Sequence, residues 1–158
     1  MRRTALLLGA MLTALVAVSA VAWAVTTVYC SNPQNRHSGM CVGTSGDDEV
    51  IGRDKADHIW AGYGNDVVRG GKGADYIEGG IDLSRGKDVN YGGPGNDILE
   101  GHQDAERHYG GGGDDQIYDP RTGSPDRIRC GDGYDRVTYN KGVDMVAADC
   151  EVLYPETP

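Results

Sequence analysis

Carboxylates recur in this 158-residue chain about once every nine residues, each a few positions after a glycine-rich stretch: Asp48, Asp57, Asp66, Asp75, Asp88, Asp97, Asp115 and Asp135. Glycine permits positive φ and close backbone approach, so a tight turn aims several carbonyl oxygens at one point. A hard dication such as calcium takes six to eight oxygen ligands, and carbonyls plus one carboxylate supply about half that shell. Nucleophilic catalysis has less to work with. Downstream of residue 24 serines are few, G-x-S-x-G is absent, and the only cysteines are Cys30, Cys41, Cys130 and Cys150. No catalytic machinery is expected.

A second set of donors is smaller. The histidines are His37, His58, His102 and His108, and His102, Asp104, Glu106 and His108 lie close together in sequence. Imidazole with carboxylate suits a transition metal; a solvated loop is the plainer expectation.

The carboxylates belong to a repeat. Gly70–Glu78 (GGKGADYIE), Gly92–Glu100 (GGPGNDILE) and Gly110–Tyr118 (GGGGDDQIY) fit one template, G-G-x-G-x-D-x-U-x, with U large and apolar. The turn glycines to watch are therefore Gly70, Gly71 and Gly73, then Gly92, Gly93 and Gly95, then Gly110, Gly111 and Gly113. Weaker copies surround these three, making eleven repeats over residues 43–147. The copy at 79–91 has an insertion around Ile81–Arg85, and 119–129 is interrupted by Ser124-Pro125. An apolar residue at the eighth position (Val50, Ile59, Val68, Ile77, Leu99, Ile117, Ile128, Val137, Val146) argues for short strands rather than a disordered glycine–aspartate linker. Asn90 and His108 break that column, and a one-residue slip is expected to turn Val89 and Tyr91 inward instead.

These nonapeptides resemble the RTX, or haemolysin-type, calcium-binding repeat family, over nearly all of the chain after its first residues. The paired cysteines and the segment from Asp126 to Leu153 look like small exported actinobacterial members. The resemblance implies an all-β, right-handed parallel β-roll, a β-solenoid with two repeats per coil. Stacked turns then come from alternate repeats. One edge carries Asp57, Asp75, Asp97, Asp115 and Asp135; the other carries Asp48, Asp66, Asp88, Glu106, Asp126 and Asp144. Bound calcium would sit between stacked turns, best at Asp75/Asp97 and Asp97/Asp115, then at Asp57/Asp75 and Asp48/Asp66. Coils stack about 4.8 Å apart, and carboxylates that close repel by about 3 kcal/mol per pair at a dielectric near 20, so folding is expected to require calcium.

The repeat register also selects among the three possible disulfide pairings. Ala148 should stack on Cys130, with Cys150 two residues further round the turn, so Cys130–Cys150 closes the last coil. Cys30–Cys41 then fastens an N-terminal cap over residues 25–42, and residues 148–158 form a C-terminal cap and tail. Such disulfide-stapled ends suit a roll with a thin core.

The first residues read as a signal peptide over 1–24: Arg2 and Arg3, an apolar run from Ala5, then Ala22-Trp23-Ala24. Its removal would take the net charge from −9 to −11; an uncleaved segment would instead be a membrane anchor. So negative a surface repels nucleic acid and attracts cations. The expected setting is secreted and extracellular, with cell-surface anchoring as the alternative. The expected role is a calcium-binding structural or interaction module. The alternative is an adhesion or carbohydrate/protein-binding module that uses outward aromatics (Trp60, Tyr91, Tyr109, Tyr118), with an extracellular protein or carbohydrate partner and calcium only structural.

Overall fold

A computed structural model describes residues 24–31, 36–37, 40–80, 86–103, 105–119 and 124–156. The leader before Ala24, the Ile81–Arg85 insertion and Asp104 lie outside them. Among the described residues every regular element is a strand: β1 (Thr26–Tyr29), β2 (Arg36–His37), β3 (Met40–Val42), β4 (Asp48–Ile51), β5 (His58–Trp60), β6 (Val67–Arg69), β7 (Tyr76–Glu78), β8 (Val89–Pro94), β9 (Ile98–Glu100), β10 (Arg107–Gly112), β11 (Gln116–Tyr118), β12 (Arg127–Asp132), β13 (Arg136–Asn140), β14 (Met145–Val146) and β15 (Val152–Glu156). Among the described residues no helix is long and apolar enough to cross a membrane.

Strands alternate between two sheets, as two repeats per coil require. One sheet runs β1-β4-β6-β8-β10-β12-β14 and the other β15-β13-β11-β9-β7-β5-β3-β2. Pairing is parallel throughout except between β2 and β3. The fold is the β-solenoid the repeats imply. Each three-residue strand of the repeats points its middle residue inward because side chains alternate faces, and that residue is the eighth of its repeat.

The inward residues stack in two columns. Through the second sheet the column is Ile59, Ile77, Leu99, Ile117 and Val137, in register and fully buried or nearly so. Burying each contributes about 1.5–3 kcal/mol, but one such side chain per repeat makes a thin core. The first column runs Val28, Val50, Val68, Asn90, His108, Ile128 and Val146. The slip expected at β8 and β10 does not occur. Asn90 and His108 keep register and are 0% exposed, because polar partners meet them inside the roll.

The ends are closed as expected. Cys30–Cys41 and Cys130–Cys150 are both bonded with Cα atoms 5.2 Å apart, and all four cysteines are buried. Beyond the repeats, β1 adds a strand alongside β4 and β15 adds one alongside β13. No nonapeptide pattern marks either.

The outward aromatics do not form one patch. Tyr91 and Tyr109 stack face to face at 4.8 Å, with the Arg69 guanidinium over Tyr91. Trp60 and Tyr118 share a sheet face, but Glu78 and Glu100 stand between them in the stack.

Candidate metal centre

Every turn delivers its sixth residue into the roll, where the carboxylate meets the next coil. Along the regular edge, the backbone N–H of Asp57 donates to Asp75 Oδ1, that of Asp75 to Asp97, that of Asp97 to Asp115 and that of Asp115 to Asp135, each at 2.8 Å. The Asp135 N–H then donates to Glu151 Oε2 at 2.9 Å, so Glu151 is the last rung. It lies outside the nonapeptide pattern, and the sequence reading missed it. On the other edge Asp48 donates to Asp66 and Asp66 to Asp88, each at 2.8 Å; Glu106 donates to Asp126 at 2.7 Å and Asp126 to Asp144 at 3.2 Å. The structure thus stacks the expected carboxylates in the two series, and all but Asp144 are at most 5% exposed.

The second carboxylate oxygen separates two kinds of turn. In four turns whose second position is not glycine, the N–H of that residue donates to the carboxylate of its own turn. Thr44 does so to Asp48, Arg53 to Asp57, His102 to Glu106 and Asn140 to Asp144. The Arg53 guanidinium also pairs with Asp57. Where position two is Gly71, Gly93, Gly111 or Gly131, φ lies between +107 and +121, a conformation that a side chain disfavours. In these turns Oδ2 of Asp75, Asp97, Asp115 and Asp135 is buried with no hydrogen-bond partner.

Buried unsatisfied carboxylate oxygens are costly, and here they sit beside backbone oxygens. An alanine Cβ at Gly70 would lie 2.5 Å from Asp75 Oδ2 and 2.6 Å from the Gly92 carbonyl oxygen. Gly92 faces Asp97 Oδ2 and the Gly110 carbonyl in the same way, and Gly110 faces Asp115 Oδ2 and the Cys130 carbonyl. Glycine at position one therefore keeps open a space edged by a carboxylate and a carbonyl, an all-oxygen donor set that suits calcium. The residues fit the ion: Asp75, Asp97, Asp115 and Asp135 would hold it, together with turn carbonyls. The ion would supply positive charge between stacked carboxylates.

Protonation reports the same unmet charge. Burial pushes Asp97 up to about 6 and Asp115 up to about 7, against a partly offsetting N–H donor and with neighbouring carboxylates adding to the rise. Asp75 and Asp135 are raised for the same leading reason. Asp126 reaches about 8 through burial and then the charge of Asp119.

The edges should differ in what they contribute. Asp97→Ala removes an open Oδ2 in the middle of the regular edge. It should raise the calcium midpoint of folding by about tenfold, or ~1.4 kcal/mol. Asp126→Ala removes a carboxylate crowded by Asp119 and should raise it less. Paired calcium titrations followed by circular dichroism measure this, and equal shifts would contradict the edge assignment.

The sequence cluster His102, Asp104, Glu106 and His108 is divided by the fold. His102 turns toward Glu78, with Nε2 4.0 Å from Oε2, whereas Glu106 and His108 point inward and meet Asp119.

A model of the RTX calcium-binding nonapeptide repeat matches in four copies, over residues 42–82 and 84–117. No curated protein and no solved structure matches the chain. The matched residues contain the first two strict repeats and all of the third but Tyr118, with their open carboxylates up to Asp115. Over these residues the chain carries RTX calcium-binding nonapeptide repeats, a repeat type that binds calcium.

Proposed function

We propose that this chain is an exported, non-catalytic module that folds on calcium and serves an extracellular structural or interaction role. The carrying observation is the row of buried Oδ2 atoms on Asp75, Asp97, Asp115 and Asp135, none with a hydrogen-bond partner. A roll with so thin a core cannot offset that many buried charges without cations. Export is supported by two buried disulfides, which persist in oxidising compartments, and by the basic-then-apolar first residues. Such surroundings supply calcium at about 10⁻³ M, which matches the affinity of extracellular calcium modules, about 10⁻⁴–10⁻³ M. The mutual stacking of Tyr91 and Tyr109 and the separation of Trp60 from Tyr118 weigh against an aromatic carbohydrate platform.

A calcium titration of the full chain, followed by far-UV circular dichroism with its disulfides intact, tests the reading. β signal should grow cooperatively with calcium and vanish on chelation. An unchanged spectrum in calcium-free buffer of matched ionic strength would mean that the disulfides alone hold the roll.

A further inference from the structure

Three departures from the repeat pattern converge on one point inside the roll. The sixth position holds Glu106 in place of aspartate, and the eighth holds His108 in place of an apolar residue. The first position of the repeat one coil further on holds Asp119, where other repeats have mostly glycine. The three side chains are 0–1% exposed. His108 Nε2 lies 3.6 Å from Glu106 Oε2 and 3.5 Å from Asp119 Oδ2. We propose that Glu106, His108 and Asp119 form a buried site for a first-row transition-metal dication of the zinc class, distinct from the calcium turns.

The distances favour a shared cation over direct contact. A buried imidazolium held by a carboxylate closes to about 2.7–2.9 Å, whereas here both separations are longer. Tetrahedral ligands on bonds of about 2.1 Å stand about 3.4 Å apart, close to both. His108 Nε2, Glu106 Oε1 and both carboxylate oxygens of Asp119 lack hydrogen-bond partners. Room exists at the centre because the residue one coil before Asp119 is Gly101. A Cβ there would fall within 3.0 Å of Glu106 Oε2, His108 Nε2 and Asp119 Oδ1 alike.

Charge and donor type agree. A dication balances Glu106 and Asp119, the two carboxylates that face His108, while an imidazolium would leave one of that pair uncompensated. A neutral imidazole nitrogen suits zinc, cobalt, nickel or iron and is a poor ligand for calcium, which takes oxygen. A metal-bound histidine usually donates its other ring N–H to a neighbour. Here Asn90 fills that place, with Nδ2 3.5 Å from His108 Nδ1 and its buried Oδ1 without a partner. Rotating the amide by half a turn brings Oδ1 to Nδ1; the two orientations look alike unless hydrogens are seen.

The test uses cobalt(II) as the probe. Because the site is buried, the full chain is refolded in saturating calcium with and without one equivalent of cobalt(II), then passed through a desalting column. Wild-type protein should retain about one cobalt per chain, with visible ligand-field absorption of the tetrahedral type that zinc(II) abolishes. His108→Leu and Asp119→Gly each restore the residue usual at their position. They should fold on calcium with the wild-type spectrum and yet bind cobalt at least about a hundredfold more weakly. Absence of retained cobalt in the wild type would overturn the proposal. So would cobalt binding undiminished in both variants, which would place the ion at another histidine. Neither result depends on how much calcium the turns need.

Discussion

Gly93→Ala should raise the calcium midpoint for folding by tenfold or more, while Gly112→Ala, about one coil further on, should move it less than twofold. Gly93 sits at φ +113, and a Cβ there would fall well within contact distance of the Gly71 carbonyl oxygen one coil below. That oxygen belongs to the backbone stack and cannot swing aside. The φ strain alone costs about 1–3 kcal/mol. A second effect adds to it. If the alanine escapes to negative φ, its N–H can turn onto Asp97, as the Arg53 N–H does onto Asp57, and the oxygen reserved for calcium is taken. Gly112 has neither constraint, since its φ is not positive and its Cβ would meet nothing within 4 Å. Calcium titrations of both variants by circular dichroism measure the difference, and equal midpoints would remove position two from the argument.

Acidification should weaken calcium binding and, in calcium-free buffer, stabilise the roll. In the absence of calcium, Asp97 and Asp115 titrate near 6 and 7 in the folded chain, against about 3.9 when unfolded. A carboxyl raised on folding takes up a proton as the chain folds. Stability of the calcium-free roll is therefore greatest below pH 4 and declines as pH rises toward 7. With calcium the sign reverses, because the ion must displace those protons. At pH 5 the ionised fraction falls to about a tenth at Asp97 and about a hundredth at Asp115, and the calcium midpoint should rise accordingly. Circular dichroism at pH 4.5 and 7.5, with and without calcium, separates the two slopes. A calcium-free chain that loses β signal on acidification would contradict the burial of these carboxylates.

Most of the scaffold was legible because each element of it repeats. An apolar eighth residue in nine of the eleven repeats showed which side chain points inward, and the two-repeat coil showed which aspartates stack. The same register placed Cys150 beside Cys130. Asn90 and His108 were misread for a physical reason. Taken within its own strand, each is a polar group buried without a partner, and on that ground a slip costs less. The partners of His108 are Glu106 at the sixth position of its own repeat and Asp119 at the first position one coil on, and Asn90 meets His108 itself, so the groups come together only once the coils stack. The closed and open calcium turns were legible in principle from whether position two is glycine. Glu151, β1 and β15 were not, since each extends the roll from sequence outside the nonapeptide pattern.

The polar pair in the first column also bears on how this molecule would carry load. Each coil touches only its neighbours, so tension along the roll axis passes through them in series. The terminal coils, where such stacks usually fray, are locked by Cys30–Cys41 and Cys130–Cys150. Between those ends, β8 and β10 are joined by five paired residues and by the Tyr91–Tyr109 stack, so the buried Asn90 and His108 do not leave a seam without contact. An ion shared by Glu106, His108 and Asp119 would tie the β10 coil to the one after it and stiffen the stack on that side.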